Sequence, residues 1–162
     1  MKNNLLLAVM VLAAFSSSAQ GGKVINDRNA QRRTVSAFHA IRISSGIDLY
    51  LSQAAEEAVA VSASNTTDRD RIRTEVEGGV LKIYIENNGF HWGIGHGMKL
   101  KAYVSCKVLD ALRASGGSDV FIEDGVRTDK LDLELSGGSD LRGKVSAQEL
   151  TINQSGGSDS YL

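Results

Sequence analysis

The sequence predicts an all-β domain wound as a parallel β-helix, a single-stranded β-solenoid, and three observations predict it. First, Ser115-Gly116-Gly117-Ser118-Asp119 returns as Ser136-Gly137-Gly138-Ser139-Asp140 and as Ser155-Gly156-Gly157-Ser158-Asp159, at steps of 21 and 19 residues. Self-similarity at such a period marks a stack of equivalent units. Second, apolar residues recur in register with the motif. Leu112, Leu133 and Ile152 each stand three places before it, and Leu131 and Val126 are echoed by Leu150 and Val145. Third, the strong turn comes once per unit, with weaker corners at Asp124-Gly125 and Arg142-Gly143. An array of hairpins would turn every roughly 8–12 residues. One unit therefore reads as one coil.

The chain opens with the pattern of an export signal. Lys2 precedes an apolar run from Leu5 to Phe15, and Ser17-Ser18-Ala19 supplies small residues for cleavage before Gln20. The run is shorter than the roughly 20 residues that span a bilayer. The reading is a signal peptide over 1–19, a flexible polar leader over 20–33 and one domain over 34–162, exported to the periplasm, the cell surface or the medium, with no membrane span left after signal removal.

From Thr34 the pattern becomes strand-like. Phe38, Ile41 and Ile43, then Ile47, Leu49 and Leu51, nearly alternate on either side of Ser44-Ser45-Gly46, which opens Ser44-Ser45-Gly46-Ile47-Asp48, a looser copy of the motif. They read as two short strands joined at a bend. Val59 to Ala63 is another strand. The charged stretch Asn65 to Arg73 fits a helical turn or a loop, with its alternating charges on a solvated face. Gly78-Gly79 is a turn before the strand of Leu81, Ile83 and Ile85. After a Gly-rich insertion from Asn87 to Gly97, alternation resumes at Met98, Leu100, Ala102 and Val104.

In the predicted stack, equivalent residues form ladders about 4.8 Å apart. Leu133 is expected inside, between Leu112 and Ile152. The corner residues Gly46, Gly116, Gly117, Gly137, Gly138, Gly156 and Gly157 provide positive φ and close approach. Asp48, Asp119, Asp140 and Asp159 are expected to accept backbone N–H groups. Like charges about 5 Å apart in water repel by roughly 0.8 kcal/mol per pair, which such bonds offset, so a structural ladder is favoured over a calcium site. The nine-residue G-G-x-G-x-D repeat of calcium-binding RTX proteins has less than half this period.

Composition excludes several classes. A formal net charge of −1 with interspersed signs argues against a nucleic-acid surface. Cys106, the single cysteine, can form no intrachain disulfide and reads as a small apolar filler. His91 and His96 supply two ligands where zinc needs three or four, so no metal or cofactor is expected. Phe90, His91, Trp92 and His96 form a candidate binding loop, its aromatics suited to a sugar ring or a partner's pocket or, equally, to covering the side of the solenoid. Glu123 and Asp124, the nearest thing to a carboxylate pair, are adjacent and would point to opposite faces of a strand.

Phe38-x-x-Ile41-x-Ile43, Gly46-Ile47-Asp48-Leu49, Gly78-Gly79-Val80-Leu81-Lys82-Ile83 and the repeated Ser-Gly-Gly-Ser-Asp, taken in order, resemble the putative autotransporter adhesin, head GIN domain family (DUF2807), over Thr34 to Leu162. The resemblance implies a right-handed parallel β-helix of pectin-lyase-like shape and an adhesion role with no catalytic residues. The expectation is an exported, non-enzymatic domain presenting its surface to a glycan or protein partner. The alternatives are a carbohydrate-active enzyme on the same scaffold and a purely structural envelope protein. The chain stops at Ser160-Tyr161-Leu162 in mid-coil, and Gln154 stands where Leu135 marks an interior position. The domain thus reads as incomplete at its C-terminal end, with self-association expected through its last coil.

Overall fold

A computed structural model describes residues 25–86 and 99–162. They form two β-sheets around one core. Sheet A contains β1 (Gln31–Arg33), β3 (Asp48–Gln53), β4 (Ala58–Ser62), β7 (Lys101–Cys106), β9 (Val120–Ile122), β11 (Leu141–Arg142) and β13 (Ser160–Tyr161). Sheet B contains β2 (Ala40–Ile43), β5 (Ile72–Glu77), β6 (Val80–Ile85), β8 (Ala111–Ala114), β10 (Val126–Leu135) and β12 (Val145–Gln154). One short helix, α1 (Thr66–Asp70), lies in the charged stretch; the Asn65 side chain accepts the N–H of Asp68 at 2.9 Å and caps it.

The right-handed parallel β-helix expected from the repeat and the resemblance is not what the chain forms. Both sheets are mixed. β1 pairs with β4, β4 with β7 and β5 with β6, all antiparallel. The strand orders, β1-β4-β7-β3-β9-β11-β13 and β12-β10-β8-β2-β6-β5, do not follow the chain. A β-helix stacks each coil on the one before it. Here the pair β2–β3 lies in the middle, with β6 and β7 on one side and the repeats on the other. The physical reason is the Gly78-Gly79 turn, which folds β5 back on β6 as a hairpin. The polar leader also contributes a strand, β1, that covers the outer edge of β4.

The three repeats do stack in parallel. Leu112 pairs with Leu133, and Leu133 with Ile152. Ile41 and Leu81 extend the row across β2 and β6. Leu81, Leu112 and Leu133 are wholly buried and Ile41 nearly so, whereas Ile152 on the edge strand is 38% exposed. Facing them from sheet A are Leu49, Leu51, Ala102, Val104, Val120 and Leu141, in the same core cluster. Alternation places every second strand residue in this layer.

Between the sheets the chain turns through the repeated corners, where two serines are buried. Ser118 Oγ accepts the N–H of Ile47 at 3.1 Å, and Ser139 Oγ accepts the N–H of Ser118 at 3.1 Å. The first two repeats thus each satisfy a buried donor of the adjacent corner, whereas the Ser158 hydroxyl donates to the Ser155 carbonyl of its own turn. The first glycine of each motif lies against the adjacent corner. A Cβ on Gly137 would come within 3.0 Å of Gly116 N, while one on Gly138 would meet nothing within 4 Å.

Leu133→Ala is expected to destabilise the protein by about 2–5 kcal/mol, and Ile152→Ala by clearly less. Denaturant unfolding measures both, and a Leu133→Ala cost within about 0.5 kcal/mol would place that side chain at the surface. At the corner, Gly138→Ala is expected to cost about 1–2 kcal/mol for its positive φ alone. Gly137→Ala should cost more, since the added methyl also presses on a main chain that has no room to yield. Equal costs in thermal melts would show that the stack has slack there.

Candidate binding surface

The corners lie together where β2–β3, β8–β9, β10–β11 and β12–β13 each cross between the sheets. Gly46, Gly116, Gly117, Gly137, Gly138, Gly156 and Gly157 all have φ between 65° and 81°. Asp48 opens β3, and Asp119, Asp140 and Asp159 immediately precede β9, β11 and β13. The Asp119 carboxylate accepts the N–H of Asp140 at 3.1 Å. Burial and the neighbouring Asp119 charge raise the Asp48 carboxyl, while the Asp119 N–H and Lys101 oppose them. Asp48 and Asp119 therefore each tie their corner to the next through a main-chain donor. Phe90, His91, Trp92 and His96, the sequence-predicted loop, lie outside the described residues. Among the described residues no three His, Cys, Asp or Glu side chains come together as a metal-binding group. Cys106 is buried, its thiol pushed up to about 11 by burial and by the charge of Glu57, and its S–H points at the Ser52 carbonyl, 3.6 Å away.

The outer face of sheet A carries a feature that the repeat does not announce. Tyr103, Tyr50 and Phe121 occupy one register row on β7, β3 and β9. Their rings stack at 5.2 Å between centroids, Tyr103 on Tyr50 and Tyr50 on Phe121, inclined by 26° and 21°. The row continues through Arg142 to Tyr161, with the guanidinium 5.5 Å from the centre of that ring. The signal was present in the strands: Leu49-Tyr50-Leu51, Ala102-Tyr103-Val104 and Val120-Phe121-Ile122 each set an aromatic between two inward aliphatics. Only the pairing of β3 with both β7 and β9 shows that the three rings meet.

At the Tyr103 end the row borders a groove of about 330 Å³, lined in part by Tyr50, Ala60, Glu56, Glu57, Glu123 and Arg32. The Tyr103 hydroxyl donates to the Asp27 carboxylate at 2.9 Å. Burial works against the Asp27 charge, but hydrogen bonds from Ser62, the Asn29 N–H and Tyr103 outweigh it and hold the carboxyl below its usual value. Burial, followed by the bond to Asp27, pushes the Tyr103 phenol far up, so the phenol stays protonated and donating. On the opposite side of the molecule the exposed face of sheet B includes ion pairs: Arg113 with Glu134 at 2.7 Å, Lys130 with Glu149 at 2.8 Å and Arg73 with Glu86 at 2.8 Å. Among the described residues no helix is long and apolar enough to cross a membrane.

Solved structures share this architecture. A putative adhesin from Bacteroides fragilis is 21% identical, with a TM-score of 0.68 over 82% of this chain and 61% of its own. A putative adhesin from Parabacteroides distasonis is 19% identical, with a TM-score of 0.70 over 82% of this chain and 55% of its own. A protein from the same species described as a putative lipid binding protein is 20% identical, with a TM-score of 0.62 over 84% of this chain and 61% of its own. At this identity the likeness speaks for the fold alone, and the chain spans 55–61% of the length of these structures. Among curated proteins none matches the chain. The family model described as "Putative auto-transporter adhesin, head GIN domain" matches residues 37–162, which takes in every strand from β2 to β13 and all three repeats. The chain belongs to the head GIN domain family of putative auto-transporter adhesins.

Proposed function

We propose that this chain is an exported, non-enzymatic adhesion domain that holds a glycan or protein partner against the outer face of sheet A. The observation that carries the reading is the stacked row Tyr103–Tyr50–Phe121. Aromatic rings supply large contact area at low entropic cost, with a polar handle on each tyrosine. Here they stand on paired strands, which position side chains more rigidly than loops do. Family membership supports an adhesion-like role, and the apolar run after Lys2 supports export. The ion pairs of sheet B are satisfied among themselves and offer a partner little beyond what water already provides.

A panel of glycans and bacterial or host surface proteins, scored for both retention and cleavage, tests this. Retention without cleavage is expected, falling by about tenfold or more in Phe121→Ala, since one well-packed interface aromatic is worth about 1.4 kcal/mol or more. Turnover of any panel member, or retention untouched by losing the aromatics, would refute it.

The β12 edge of sheet B supports self-association as a second property. Among the described residues β12 pairs only with β10, and Leu150 and Ile152 on it are 42% and 38% exposed. Such an edge templates pairing with another strand, and the partner we propose is a second copy of this chain. Sedimentation should show concentration-dependent dimers that Ile152→Asp disperses. A monomer across the micromolar range would count against it.

A further inference from the structure

We infer that a second groove, between the β7–β8 and β9–β10 crossings, is a site for an acidic sugar, a pyranose bearing a carboxylate. It lies at the ends of the strands away from the repeated corners. There β7, β9 and β11 each pass from sheet A to sheet B, whereas β3, which stands between β7 and β9, returns within sheet A to β4. A gap opens where its crossing would be. β8 begins only at Ala111, opposite Asp132, so among the described residues the first half of β10 has no strand partner on that side. Gln53, the last residue of β3, holds the two lips of the gap. Its amide donates to the Lys107 and Arg127 carbonyls, both at 3.0 Å, and accepts the Arg127 N–H at 2.8 Å. One side chain therefore fixes both crossings. The groove they bound, about 540 Å³, is within the range of small-ligand sites.

The cations of this groove have no counter-ion within it. Lys107 on one lip and Arg127 on the other are exposed, and neither side chain makes an ion pair or a hydrogen bond among the described residues. Asp129 is the one carboxylate in the lining, and its Oδ1 accepts the Gln148 amide at 2.9 Å. Glu56 and Glu57 share a separate groove with Lys107 and form no ion pair with it. Two cations against one carboxylate leave the lining one charge positive. A cationic sugar would be repelled. A neutral one would dehydrate both cations without giving them a counter-charge, which costs binding energy. A carboxylate meets the planar fork of Arg127 with two parallel bonds and takes the point charge of Lys107 beside it. The rest of the lining suits a sugar ring rather than an acidic peptide. Ser146, the register partner of Arg127, offers a hydroxyl and Gln148 an amide oxygen, while Val108 and Ala147 are small apolar contacts.

The test titrates the purified chain with a hexuronic acid oligomer, its methyl ester, a sulfated oligomer and an oligoglutamate, the charged three matched in charge, at low and high salt. The hexuronic acid oligomer should bind at least about tenfold tighter than the others, and more weakly at high salt. Lys107→Gln and Arg127→Gln should each weaken it by about tenfold, the loss of one charge-assisted bond. Neither should lower the melting temperature, since both side chains are exposed. Arg127→Lys, which keeps the charge and loses the fork, should recover only part of the affinity. Ser146→Phe, which fills the groove and leaves both cations in place, should abolish binding. Equal binding of the acid and its methyl ester would overturn the charge selection. Tighter binding of the sulfated oligomer would overturn the choice of carboxylate, and tighter oligoglutamate binding would reassign the groove to a protein partner. Binding untouched by the variants would move the site elsewhere, and no binding at all would end the proposal. The sheet A reading stands or falls separately, because Phe121→Ala should leave hexuronate binding unchanged.

Discussion

The buried N–H groups at the repeated corners constrain everything else. Where the chain passes between sheets it leaves the ladders, and the donors of Ile47 and Ser118 would be stranded in the interior. Leaving one unsatisfied costs about 1–3 kcal/mol. The hydroxyl of the neighbouring repeat's serine meets each of them. That solution requires serine at the fourth motif position, and it requires the next corner to approach closely, which the first glycine permits. The carboxylate bond from Asp119 to the Asp140 N–H works in the same direction. The motif is therefore a cross-repeat fastening, and its chemistry is consumed in holding the stack.

With the corners fastened, each repeat's strands are brought into one register, and the outer faces acquire their character from single alternating positions. On sheet B some of those positions hold ions that pair across strands, Arg113 with Glu134 and Lys130 with Glu149. On sheet A they hold aromatics, and the parallel register turns three separate residues into one stack. The molecule is two-faced for a simple reason: both sheets bury the same kind of side chain inward, so differences can accumulate only outward. A binding role falls on the face whose side chains are not already neutralised by one another.

The antiparallel pairs explain the groove beside Tyr103. β4 returns antiparallel beside β7 and presents Ala60 as the register partner of Tyr103, while β1 and the residues before it form the far wall. The departure from solenoid topology is thus what opens a cavity beside the aromatic row.

Much was legible in the sequence, for reasons that are local. Period-two alternation marked β2, β3, β4, β6 and β7, and the 21- and 19-residue steps set Leu112, Leu133 and Ile152 in one row. The motif also pointed to positive-φ corners and to main-chain donors bonded by Asp48 and Asp119, whereas the Asp140 carboxylate accepts from the Arg142 side chain. Outside the repeats, strand direction and strand neighbours were not legible, because alternation is the same whether a strand pairs parallel or antiparallel and whether or not its partner is next in sequence. So the β-helix expectation failed at Gly78-Gly79, where a hairpin replaced a coil. The aromatic row stayed hidden for the same reason: Tyr50, Tyr103 and Phe121 are 53 and 71 residues apart from end to middle in sequence, and only β3 pairing with both β7 and β9 makes them neighbours. The sequence determined which residues face inward and where the chain turns. The tertiary structure alone decided which strands are adjacent outside the repeats, and with that which outward side chains form a surface.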